Sequence, residues 1–301
     1  YTLCEDTDAN PGIATIFSTQ DITDNLWDLT GGSSDVIIPL LDPDVIPSQN
    51  IEDFTVTYHQ TEVEAEDGIN PISPGYQATD GEVLFIRVVN LATECFNTDA
   101  IGQVELQIQP RPDIADTNPG DIVICADEVA NPGVATVDLT QQDGVINPGA
   151  ANTMVVYYEG MMDFNNATPI DDPINYQTSQ SPQTIIAEVV NTQTLCESSS
   201  FVSFDIIINA LPNVDISGFD GAIVCIDQNG EVIITDDSPP IIDTGLDSLN
   251  FTFEWTLDST VLAETTSSIE ATQPGTYTVT VTNNATGCQA TSSATIIENN
   301  P

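Results

Sequence analysis

Six cysteines constrain this chain more than any other feature. They stand at positions 4, 95, 125, 196, 225 and 288, and their surroundings repeat. Leu3-Cys4, Ile124-Cys125 and Val224-Cys225 each open onto an acidic turn followed by a β-rich run. The other three follow a valine-rich strand that ends in Asn, with a Thr two residues before the Cys. These are Asn90 to Thr93-Glu94-Cys95, Asn191 to Thr194-Leu195-Cys196, and Asn283 to Thr286-Gly287-Cys288. Cys4 to Thr15 also aligns with Cys125 to Thr136 around a shared Asn-Pro-Gly. An internal repeat of this length implies a tandem array of similar structural units.

Pro-containing connectors, Pro110-Arg111-Pro112 and Ala210-Leu211-Pro212, divide the chain into repeats at 1–112, 113–212 and 213–301. Repeats two and three carry twelve residues before their first cysteine, whereas repeat one carries three. The expectation is therefore an N-terminally incomplete first repeat and a window on a longer array. Six cysteines permit fifteen pairings. The repeat selects pairing within each unit: Cys4 with Cys95, Cys125 with Cys196, and Cys225 with Cys288. By chain entropy each such bridge contributes about 4–5 kcal/mol at most. Disulfides imply an oxidising, extracytoplasmic setting.

Charge removes whole classes of function. The 301 residues include 47 acidic and two basic ones, Arg87 and Arg111, for a net charge of −45. Two cations against 47 acidic residues cannot neutralise a run of phosphates, which argues against nucleic-acid binding. It equally excludes docking on an anionic membrane surface. Lysine-dependent chemistry is absent, and a single histidine, His59, leaves little for a catalytic triad. Its place on the Thr side of a strand predicts exposure. No apolar run reaches the ~18–20 residues of a membrane-spanning helix. Yet 40% of the residues are hydrophobic, enough for a packed core.

The apolar period is two almost throughout. Phe54, Val56 and Tyr58 alternate with Thr55, Thr57 and His59, and Val104, Leu106 and Ile108 alternate with polar residues. Phe251, Phe253, Trp255 and Leu257 do the same, as do Tyr277, Val279 and Val281. Such strands keep one face on a core and one in water. Short helices are predicted at 19–26, 62–67, 140–144 and 161–165. About seven short strands per ~100 residues read as a β-sandwich. The predicted fold is thus all-β: three tandem Ig-like sandwiches in an extended row, one disulfide each, with Trp255 in the core of the third.

The stretch from Val56 to Ile72, followed by Phe85 to Cys95, resembles a repeat of giant Bacteroidetes surface adhesins, the SprB-type proteins of gliding motility exported by type IX secretion. Gly275 to Asn283, with Thr286-Gly287-Cys288, is similar to their PKD/Ig-like repeats. The resemblance implies a stalk or adhesive array at the cell surface. Its partners would be neighbouring repeats, copies of the chain in a filament, or a polysaccharide or protein ligand.

The acidic turns supply the one candidate cofactor, calcium, which takes six to eight oxygen ligands. Candidate ligands are Glu5, Asp6, Asp8 and Asn10; Asp127, Glu128 and Asn131; and Asp227, Asn229 and Glu231. None matches a complete EF-hand loop. The competing role is the ordinary one of Asp and Asn in turns, bonding their own backbone. With 47 carboxylates, neighbouring pairs arise by chance, so no catalytic pair stands out. The expected function is non-enzymatic and structural.

Overall fold

The structure, a computed structural model, describes residues 1–6, 12–16, 18, 22, 54–96, 101–227, 229–235 and 239–299. The chain is all-β with a few short helices. It forms two compact units. The first comprises Tyr1–Thr117, Gln142–Val156 and Ala187–Val202; the second comprises Asn118–Gln141, Tyr157–Ile186 and Ser203–Pro301. The second sequence repeat thus contributes to both.

In the first unit, Phe54–His59, Val83–Asn90 and Gly102–Glu105 form an antiparallel sheet. Ile13–Ile16 pairs antiparallel with Tyr76–Thr79. Between these layers lies a core of Ala14, Ile16, Tyr58, Ala78, Leu84, Ile86, Val88 and the alternating Val104, Leu106 and Ile108. The period-two pattern therefore does what it predicts: one face of each strand is removed from water. The helix Glu62–Asp67 starts at Thr61, whose hydroxyl accepts from the Glu64 amide at 3.3 Å and donates to its carboxylate at 3.1 Å. This reciprocal cap fixes the first turn. Gly68 ends the helix at φ 67°, the left-handed conformation that favours glycine.

His59 is buried, not exposed. Its ring nitrogens lie 2.7 Å from the Ile69 carbonyl and 2.9 Å from the Thr57 hydroxyl. The helix and its following turn fold back over the polar face of this strand, which strand periodicity does not reveal.

In the second unit, Ile223–Cys225, Gln289–Asn299, Gly275–Asn283, Phe251–Leu257 and Thr260–Val261 form one sheet, in that order. Ile241–Asp243 and Ser268–Glu270 form another. Trp255 is fully buried between them, against Ile242, Ile269, Val279 and neighbours, and its indole N–H donates to the Thr266 carbonyl at 2.9 Å. A short helix occurs in this unit at Gly160–Asn165, and another in the first unit at Asp143–Ile146, preceded by a 3-10 turn at Leu139–Gln142. The helix expected at 19–26 lies outside the described residues, apart from Ile22, which is buried.

The first strand of each repeat runs parallel to the last strand of the same repeat. Cys4 pairs with Gln109, Cys125 with Asn209, and Cys225 with Asn299. Each first cysteine therefore sits at the finishing end of the last strand. Each second cysteine precedes that strand, at its starting end. The last strand of repeat two, Val202–Asn209, spans eight residues, or about 25 Å at the rise of a strand. Bridged Cα atoms are at most about 7 Å apart.

The pairings expected within repeats, Cys4–Cys95, Cys125–Cys196 and Cys225–Cys288, are therefore corrected. The disulfides are Cys4–Cys196 and Cys125–Cys288, with Cα separations of 5.5 and 5.6 Å. Cys95 and Cys225 belong to neither. One bridge per repeat gives way to bridges that join successive repeats.

Candidate functional site

The two bridges share one receiving half. After the strand Gln183–Asn191, the Asn191 side-chain oxygen accepts from the amides of Gln193 at 2.9 Å and Thr194 at 3.1 Å. The Leu195 amide donates to the Asn191 carbonyl, and the Asn191 amide donates to the Cys196 carbonyl at 2.9 Å. The Thr194 hydroxyl accepts from the Cys196 amide at 3.4 Å. Leu195 takes φ 61°. The result is a tight, self-satisfied turn that presents the cysteine. Around Cys288 the same bonds recur: Ala285 and Thr286 amides to the Asn283 side chain, Asn283 amide to the Cys288 carbonyl, Cys288 amide to the Thr286 hydroxyl. Here Gly287 supplies the positive φ, at 74°. The recurring Asn and Thr are thus explained by bonding: Asn turns the chain, and Thr holds the cysteine amide.

The donating half is the first strand and the turn after it. In the first unit, Glu5 is only 5% exposed, and its amide donates to the Gln109 carbonyl at 3.0 Å. Its carboxylate accepts from the amides of Gly12 at 3.3 Å and Arg111 at 3.2 Å. The Arg111 guanidinium donates through Nε to the Glu5 carbonyl at 2.7 Å and through Nη1 to the Glu197 carbonyl at 2.9 Å. One of the chain's two cations therefore clamps the connector of repeat one to the residue after Cys196. In the second unit the matching position is Leu211, which packs against the core of the third repeat. Ala126, in the place of Glu5, donates its amide to the Asn209 carbonyl at 2.8 Å. One joint is clamped by charge, the other by apolar contact. Cys196 and Cys288 are 0% and 1% exposed, covered as their bridges close.

The other cation, Arg87, also serves structure. Its Nη1 donates to the carbonyls of Ala65 at 2.8 Å and Glu66 at 2.7 Å, and its guanidinium lies 3.6 Å from the Phe96 ring centroid.

In the acidic turns expected to offer calcium ligands, Asp6, Asp127, Glu128 and Asp227 accept hydrogen bonds from their own chain. Asp6 accepts from the Thr15 amide and hydroxyl. Asp127 accepts from the Thr136 hydroxyl at 2.9 Å, and Glu128 from the Asn131 side chain at 3.3 Å. Asp227 accepts from the amides of Glu231 and Asn229, both at 2.8 Å, and these bonds, the Glu231 amide first, hold its carboxyl below the usual range. Asp8 and Asn10 lie outside the described residues. Among the described residues no three acidic, His or Cys side chains converge as a metal site would require. Glu5 serves the joint, a role that its place in an acidic run does not reveal. Arg111 escapes sequence reasoning too. Its signal is that a chain with two cations puts one of them between the two prolines of a connector.

The sequence matches a family model described as the Flavobacterium inter-domain disulphide bond domain, at residues 22–112 and again at 121–212. No curated protein matches it. Among solved structures, the I67–I69 I-band fragment of titin aligns at 14% identity over 82% of this chain and 88% of its own, with a TM-score of 0.27. The four N-terminal Ig domains of Dscam1 isoform 6.9 align at 12% identity over 76% of this chain, with a TM-score of 0.25. The chain spans 59% of that Dscam1 fragment.

Proposed function

This chain belongs to the family of Flavobacterium inter-domain disulphide bond domains, and on that footing we propose that it is a load-bearing segment of a repeat array outside the cell. The array has no catalytic role. It holds a terminal or neighbouring adhesive element away from the surface, as in a SprB-type adhesin of the gliding and type IX secretion systems. The observation that carries this reading is the stagger of the bridges: each disulfide joins one repeat to the next. A bridge inside a repeat protects only that repeat. A bridge across a junction fixes the junction, where an array of repeats with nearest-neighbour contacts is otherwise weakest. Disulfide chemistry supports an extracytoplasmic location. The dense negative charge suits saline surroundings, where ions screen self-repulsion beyond about 8–10 Å.

Stretching the intact chain between Tyr1 and Pro301 tests the proposal. With both bridges closed, the shortest covalent path runs three residues to Cys4, 71 from Cys196 back to Cys125, and 13 from Cys288 to Pro301, 87 in all. At about 3.5 Å per residue the oxidised chain should stop near ~300 Å. The reduced chain should reach about 1,000 Å. Single-molecule extension that is equal in the two states would contradict a load-limiting role.

A further inference from the structure

We propose that the third repeat carries a binding site for a neutral oligosaccharide, in the cavity between the turn before Phe251–Leu257 and the turn after Gly275–Asn283. The cavity measures about 520 Å³, within the range of small-ligand sites. It is lined by Leu249, Asn250, Phe251, Asn283, Asn284 and Ala285. Two contacts set its frame. Phe251 lies opposite Asn283 across the sheet, and the Asn284 amide donates to the Asn250 carbonyl at 2.9 Å. The Asp247 carboxylate shapes the first turn, accepting from the Leu249 amide at 2.9 Å and from Asn250 Nδ2 at 3.2 Å. Asn283 serves twice: it shapes the turn that presents Cys288, and it lines the cavity.

The second repeat has the same frame with its gap bridged. There the Thr192 amide donates to the Asn152 carbonyl at 2.7 Å, as Asn284 does to Asn250. Asn152 Nδ2 then donates to Gln193 Oε1 at 3.2 Å, which ties the two turns together. Counted from Asn191 and Asn283, Gln193 corresponds to Ala285. Alanine ends at Cβ and cannot make this bond, so in the third repeat the space between the turns stays open. One change of side chain in a recurring frame makes the cavity.

The lining sets the chemistry of the ligand. In a chain with 47 carboxylates, none of the six lining residues is charged. A cationic ligand finds no carboxylate in the lining, and an anionic one meets the repulsion of a chain of net charge −45. Each primary amide carries donors and an acceptor side by side, a pattern that matches the adjacent hydroxyls of a sugar. Asn250 and Asn284 bond through Nδ2, to Asp247 and to the Leu249 carbonyl, whereas Asn283 bonds through Oδ1, to the Ala285 and Thr286 amides. Among the described residues, this leaves Oδ1 of the first two as acceptors and Nδ2 of the third as a donor for a ligand. Leu249, 86% exposed, and the half-buried Phe251 offer apolar surface to the C–H face of a sugar ring. Covering an exposed leucine is itself favourable.

The test titrates the full, oxidised chain calorimetrically with hexasaccharides of laminarin, mannan, xylan and galactan, and with an alginate hexasaccharide as the anionic comparison. Binding of at least one neutral hexasaccharide, and none of alginate, is expected. Ala285→Gln restores the bridge of the second repeat and should abolish binding while the protein melts as the wild type does. Leu249→Ser, at a position too exposed to matter for folding, should weaken binding about tenfold. No binding of any of the four neutral sugars would overturn the proposal. So would binding that either variant leaves at full strength, or tighter binding of alginate. The load-bearing role rests on the disulfides and is unaffected by any of these outcomes.

Discussion

Reducing the two disulfides in the native protein is expected to lower its resistance to denaturant substantially and to separate the unfolding of neighbouring repeats. The bridged residues are 192 and 163 apart in sequence. Closing loops of that length in the unfolded chain is worth about 5 kcal/mol each at the chain-entropy limit, and commonly 2–4 kcal/mol in practice. The effect acts mainly on the unfolded state, so the β-sheet content of the reduced protein should be nearly unchanged before the transition. Urea unfolding followed by far-ultraviolet circular dichroism, with and without a phosphine reductant, measures this directly. One cooperative transition when oxidised and several lower ones when reduced is the expected pattern. Superimposable curves would mean that the bridges do not couple the repeats.

Trp255→Ala should be the most damaging single side-chain truncation in the third repeat. The indole is fully buried among Ile242, Phe253, Ile269 and Val279, and its N–H is satisfied by the Thr266 carbonyl. Removing a large buried aromatic costs about 3–5 kcal/mol, from lost transfer energy and the cavity left behind. Trp255→Phe keeps most of the apolar area and gives up the hydrogen bond; the freed Thr266 carbonyl then costs about 1–3 kcal/mol if no water reaches it. The expected order of urea midpoints is wild type, then Phe, then Ala. Equal stability of the Ala variant would show that this core is not where the third repeat derives its stability.

The period-two pattern made the strands legible, because burial of one sheet face is written into every second residue. Val104, Leu106 and Ile108 lie in the core as their alternation requires. The helix at Glu62–Asp67 was also readable, since Thr61 and Glu64 form a local reciprocal cap. The burial of His59 was not, because it depends on a carbonyl ten residues away, at Ile69. The disulfide partners were hidden for a related reason. The repeat shows which cysteines are equivalent, but not whether the first strand runs parallel or antiparallel to the last. Parallel pairing puts Cys4 beside Gln109, next to the connector, and so beyond reach of Cys95. The Asn-to-Cys turns were visible as a motif, and their bonding explains why Asn and Thr recur. The clamp of Arg111 on Glu5 and Glu197 spans more than 80 residues and left no local trace.

Which cysteines are joined determines whether successive repeats are stapled to one another. Peptide mapping of the native, oxidised protein, digested without reduction and with free thiols blocked beforehand, decides it. Bridged peptides containing Cys4 with Cys196 and Cys125 with Cys288, with Cys95 carrying the blocking group in the monomer, are the predicted result. Peptides joining Cys4 to Cys95, Cys125 to Cys196 or Cys225 to Cys288 would place every bridge inside a repeat and contradict the staggered joints.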